Sequence, residues 1–213
     1  MTFATLSHSD YARDIGASGT YENKVLYGMC LDECGHTCPQ INSGKILAIG
    51  RIYSASPERG VAPLYTPSDS FVASLGRALA DSDLDTYLSA FSERENISDS
   101  DILLRVVDTH ALLVSILFSA TEAWLGHNSG NESRKARYSR SFASKYLHFH
   151  RPNAFPIMDS IATKGLRKCG FRVSEQNFPN FCRSIASYKT ERELEELSLR
   201  ETDTRLLALG RKY

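Results

Sequence analysis

Asp159 follows Phe155-Pro156-Ile157-Met158 and is the first carboxylate after Glu132. Six cations lie between the two acids: Arg134, Lys135, Arg137, Arg140, Lys145 and Arg151. A carboxylate after a proline and at the start of a helix meets free N–H groups and the positive end of the helix dipole, which favour negative charge. A basic loop leading into such a helix start suits phosphate, held by backbone N–H groups and by Arg or Lys side chains. Together these features could stabilise a cation developing on a sugar and direct water at it, as carboxylates do for oxocarbenium-like transition states. Asp is also a preferred helix cap, so a purely capping role for Asp159 is the competing reading.

The elements that must carry these residues read as helices. Phe142, Ala143, Tyr146, Leu147 and His150 fall on one face of a helix over about 139–150. Arg151-Pro-Asn-Ala-Phe-Pro156 breaks it, and Asp159-Ser160 opens the next helix, which Gly170 stops. Upstream, Ser68 or Ser70 caps a helix whose apolar face is Phe71, Leu75 and Leu79, and Leu84, Leu88 and Phe91 mark another. Residues 97–101, Ile-Ser-Asp-Ser-Asp, cap a long core helix ending near Trp124, before the polar loop 126–133. Two short helices are expected around Phe178–Tyr188 and Glu191–Leu197, and one more near 204–210. The apolar run within 45–56 could be strand or helix, which leaves room for a short extended element near 45–54; residues 56–63, with two prolines and a glycine, end it. The expected architecture is mainly α, a multi-helix bundle forming one domain over 1–213, with an N-terminal lobe 1–66 and a helical core 67–213.

Composition sets wide bounds. The 213 residues contain 25 Lys plus Arg and 25 Asp plus Glu, so no global positive field advertises a polyanionic partner, and only a local patch such as 134–151 could serve one. The first fourteen residues lack the charged start and apolar run of a signal peptide. Residues 102–120 are apolar but broken by Arg105, Asp108 and His110, as suits a core helix and not a membrane span. Five cysteines without a secretory signal fit a reducing cytoplasm.

Residues 155–162, Phe-Pro-Ile-Met-Asp-Ser-Ile-Ala, resemble the catalytic motif of the helix–hairpin–helix DNA glycosylases, adenine glycosylases of the MutY type in particular. Eighteen residues upstream, Arg140-Ser141-Phe142-Ala143 is similar to the start of that family's second hairpin helix. The resemblance covers about residues 130–213. It implies a glycosylase-like helical fold with a degenerate hairpin, and an enzyme that flips a damaged or modified base out of DNA and hydrolyses its N-glycosidic bond. Asp159 would be the catalytic carboxylate. Bifunctional members carry a lysine where this chain has Ser141, so the resemblance implies a monofunctional enzyme that uses water; Lys145, one turn on, is weighed as a substitute nucleophile against contact with phosphate or solvent. The family's hairpin glycines are replaced by Ala136-Arg137-Tyr138-Ser139, and side chains of Arg134, Lys135, Arg137, Tyr138, Arg140 and His148 would meet DNA in their stead. A scaffold that binds DNA without catalysis and a helical protein–protein adaptor are the alternatives.

Other residues are weighed on their own chemistry. Arg51, Tyr53 and Arg59 flank a break in apolar structure and could line a pocket that stacks and hydrogen-bonds a flipped base. His148 and His150, two apart on a helix, point in different directions and do not form a ligand pair. Cys30, Cys34 and Cys38 are spaced by three residues and lack the second pair that zinc modules use; only Cys169 and Cys182 follow Asp159, too few for an iron–sulfur cluster. No metal and no cofactor is expected. The expected partner is DNA, bound by a cytoplasmic monomer with no membrane association.

Overall fold

The computed structural model describes residues 21–59, 61, 70–92, 95, 97–128 and 135–211. Among them nine helices and no strand form: α1 (Tyr21–Asp32), α2 (Pro39–Ile52), α3 (Phe71–Ala80), α4 (Leu84–Ser89), α5 (Ser100–Asn128), α6 (Arg140–His150), α7 (Ser160–Lys168), α8 (Phe178–Glu191) and α9 (Leu199–Arg211). Arg134 and Ser68 lie outside the described residues, as does most of the loop 126–133.

The extended element expected near 45–54 is a helix instead. Pro39 occupies the first turn of α2, where its missing N–H costs nothing, and Asn42, Lys45, Ile46 and Ile49 repeat at three and four residues toward the interior. The helix ends at Tyr53, and Ser54 turns the chain at φ 50°. The helix expected over Glu191–Leu197 is also absent. There α8 runs on to Glu191, Glu193 adopts φ 53°, and Lys189 Nζ reaches across the turn to donate to Leu197 O at 2.7 Å.

Elsewhere the sequence periodicity is realised. Ser70 Oγ accepts the Ala73 N–H and opens α3, whose Phe71, Leu75 and Leu79 are buried. Asp99 Oδ1 accepts from the amides of Asp101 and Ile102 at the start of α5. That 29-residue helix runs past Trp124 and is long and apolar enough to cross a membrane. Here it packs Val106, Leu113, Leu117 and Trp124 into the core and turns Arg105, Asp108, Ser115 and Glu122 outward.

One continuous apolar core runs from Leu26 to Leu206. At its centre is α6, in which every residue from Phe142 to His150 is buried, polar ones included. Next to it, α7 and α9 lie in close contact. A Cβ on Gly165 would fall well inside contact distance of Leu206 O, and one on Gly210 would meet Ile161 O, so the two glycines let these backbones touch.

Candidate active site

Two side chains of α6 fix the segment that leads to Asp159. Ser144 Oγ accepts the Met158 N–H at 3.0 Å, and one turn later His148 Nδ1 donates to Phe155 O at 2.7 Å. His148 Nε2 then accepts from the Tyr27 hydroxyl at 2.6 Å. His148 is 2 % exposed and burial pulls its pKa down to about 4, so it is a neutral interior strut. The expectation that it meets DNA is thereby corrected: no face of the ring is open to a partner.

Held this way, Asp159 takes an extended backbone and caps α7. Its Oδ1 accepts from the Ile161 and Ala162 amides at 2.9 and 2.8 Å. No protein donor among the described residues reaches its Oδ2. Asp159 lines a cavity of about 540 Å³ together with Ser141, Lys145, Tyr53 and Glu175. That volume is within the range of small-ligand sites.

Lys145 is 3 % exposed at the floor of the cavity, and its Nζ donates to Ser141 Oγ at 2.8 Å. Burial lowers its proton affinity, against the smaller opposing pull of the Asp159, Asp203 and Glu175 carboxylates. Tyr53 contributes a wall: its hydroxyl donates to Asn23 Oδ1 at 2.6 Å, and its ring centroid is 5.9 Å from Lys145 Nζ. Desolvation, with Asp203 nearby, pushes the Tyr53 phenol up to about 12.

The mouth is cationic. Lys135, Arg137, Arg140 and Arg59 line it, with Tyr138 between the arginines. Tyr138, 53 % exposed, stacks on Phe118 at 4.3 Å, and the Arg140 guanidinium lies 4.6 Å from its ring centroid. Arg51 does not join this group. It points to solvent and pairs with Glu58 at 3.6 Å, outside the cavity. The turn after α2 sends consecutive side chains in different directions, so of the three residues read as a pocket only Tyr53 and Arg59 reach it.

Three residues with no motif around them also belong here. His110, stacked 3.7 Å from the Phe178 ring, donates through Nε2 to Arg140 O at 3.0 Å and so secures the start of α6. Glu175 lies on the rim, in a segment held by two Arg167 guanidinium bonds to Val173 O. Asp203, on α9, keeps its proton up to about pH 8 because it is desolvated and sits near the Asp159 charge, an effect that Lys145 only partly offsets. The signal for Asp203 and Glu175 is tertiary, since neither has a spacing relation to Asp159 in the sequence.

Among the described residues no three His, Cys, Asp or Glu side chains gather as a metal set. Cys30 is buried, Cys38 half-buried and Cys34 exposed, and all three are free thiols. Comparison with protein-family models, curated proteins and solved structures gives no match.

Proposed function

We propose that the protein is a DNA N-glycosylase that accepts a flipped, damaged or modified base and removes it by hydrolysis. The observation that supports this reading is the placement of Asp159, with one carboxylate oxygen unbonded, beside Ser141 and Lys145 under a mouth lined by Lys135, Arg137, Arg140 and Arg59. The basic mouth holds backbone phosphates on either side of the extruded nucleotide. The free oxygen of Asp159 faces the sugar, stabilises the positive charge that grows at its anomeric carbon as the base departs, and aligns water for attack. Tyr53 and Arg59 are placed to stack on and hydrogen-bond the base, and Tyr138 to pack against the strand. Base removal then serves repair, or defence against DNA that carries modified bases.

The test is incubation with DNA carrying a panel of modified bases, scored for free base. Asp159→Asn keeps a good capping side chain, so stability and DNA affinity stay nearly unchanged while release falls by a factor of about 10² to 10³, the usual loss when one electrostatic stabiliser is removed. Turnover retained in that variant would refute the assignment. Salt-dependent DNA affinity with no release from any base would favour a binding module on the same scaffold.

A further inference from the structure

We propose that Phe118, Tyr138 and Arg140 form a stacked platform at the mouth that docks a second, unpaired nucleobase, and that the DNA this protein takes is single-stranded. The inference rests on the reading above for the base in the cavity, whereas the platform has a geometry of its own.

The platform joins two segments. Phe118, on α5, lies face to face with Tyr138, with 4.3 Å between ring centroids and 10° between planes. A ring has two faces, and the Arg140 guanidinium covers the other, 4.6 Å from the Tyr138 centroid. The layers therefore run phenyl, phenol, guanidinium, and the outer side of the guanidinium ends the series. Such a plane accepts a nucleobase much as it accepts an aromatic side chain. The same helix α5 fixes Arg140 from behind, because His110 Nε2 donates to Arg140 O at 3.0 Å.

Local physics disfavours a cation at this position. Arg140 is the first residue of α6, at the positive end of the helix dipole, and Ser139 before it makes no side-chain cap bond. No carboxylate among the described residues is within ion-pair distance of the guanidinium. Lys135 and Arg137, both exposed, add charge of the same sign. A purely structural role would be served better by an acid or a capping side chain at this turn. A polyanionic strand supplies the missing counter-charge, and a stacked base uses the plane of the arginine as well.

The platform borders the cavity, which Tyr138, Arg140 and Ser141 all line. A base lodged beside Asp159 therefore has its neighbour in the strand within reach of the guanidinium. In a duplex that neighbour stays paired and stacked, and bringing its face to a protein plane means unstacking a second nucleotide. In a single strand the faces are already free, and stacking on them tolerates any sequence.

The experiment measures the affinity of the wild-type protein, by fluorescence anisotropy at one salt concentration, for three labelled strands of equal length. They are an oligothymidylate, its duplex with oligoadenylate, and a strand of abasic residues that keeps only the phosphates. The oligothymidylate should bind tighter than either of the others by about tenfold or more, within what one stacked base contributes. Arg140→Lys keeps the charge without the plane. It should remove most of that advantage while affinity for the abasic strand, and the slope against salt, stay unchanged; Phe118→Leu should act in the same direction. Equal affinity of the wild type for duplex and single strand overturns the proposal without reference to any variant, and so does an Arg140→Lys protein that binds oligothymidylate as the wild type does. Because binding requires no excision, a single-strand preference without base release from any modified substrate would sink only the hydrolytic reading, and release confined to duplex DNA would sink only this one.

Discussion

Acidification should destabilise this protein above the pH range in which ordinary carboxylates titrate. His110 and His148 are both held neutral by burial, with pKa values near 4 in the fold against about 6.5 in an open chain, and His150 is pushed well below 6.5 by burial beside Lys45. The unfolded state therefore binds protons first. The stability these rings contribute is complete above about pH 6.5 and is lost as pH falls toward 4. For His110 and His148 the loss is about 3 kcal/mol each, out of a total that for most domains is about 5–15 kcal/mol. Asp203 acts in the opposite sense, because it keeps a proton in the fold up to about pH 8 and so offsets one histidine across this window. His110, His148 and His150 less one carboxyl give an uptake of about two protons on unfolding, a slope of about 3 kcal/mol per pH unit, and His36, whose pKa burial also lowers, steepens it. Urea denaturation followed by circular dichroism between pH 7.5 and 4.5 measures that slope directly. His148→Asn isolates one contribution: the amide still donates to Phe155 O, the Tyr27 hydroxyl loses its acceptor at a cost of about 1–3 kcal/mol, and the slope falls by about one proton. Stability that stays flat from pH 7 to 5, or an unchanged slope in the variant, would refute the account of these rings as neutral struts.

Two further outcomes follow from the packing and the mouth. Gly165→Ala forces a methyl group into Leu206 O and pries α9 from α7; a loss of about 1–3 kcal/mol in denaturant melts is expected, with a fall in base release as Asp159 shifts. Arg137→Glu or Arg140→Glu should weaken binding to every DNA sequence alike and lower the slope of log affinity against log salt by about one per lost phosphate contact, measured by fluorescence anisotropy.

What could be read from the chain itself was the local part. Asp159 at a helix start, the helix beginning near 140 and the apolar face of α3 all rest on caps and periodicity that a few neighbouring residues determine. The run near 45–54 is too short for periodicity to separate strand from helix, and what decides it is burial of Lys45, Ile46 and Ile49 against partners elsewhere in the chain. His148 was misplaced for a related reason. A histidine on an apolar helix looks polar enough to face a partner, yet its acceptors and donors, Phe155 O and Tyr27, come from segments 7 and 121 residues away. Asp203 and Glu175 come to Lys145 only through the docking of α9 and the loop before α8, for which no local pattern exists.

The paired clamp of Ser144 and His148 on the Phe-Pro-Ile-Met segment has a consequence for how such a protein can diversify. Amine, hydroxyl and carboxylate are mounted on one inflexible piece: Lys145 and Ser141 lie on α6, and Asp159 hangs from it through Phe155 and Met158. The mouth residues Lys135, Arg137 and Tyr138, by contrast, come from an irregular stretch outside the helices. Insertions or replacements there can reshape the entrance of the cavity while Lys145, Ser141 and Asp159 keep their spacing. The entrance of this scaffold is free to change shape without rebuilding the floor beneath it.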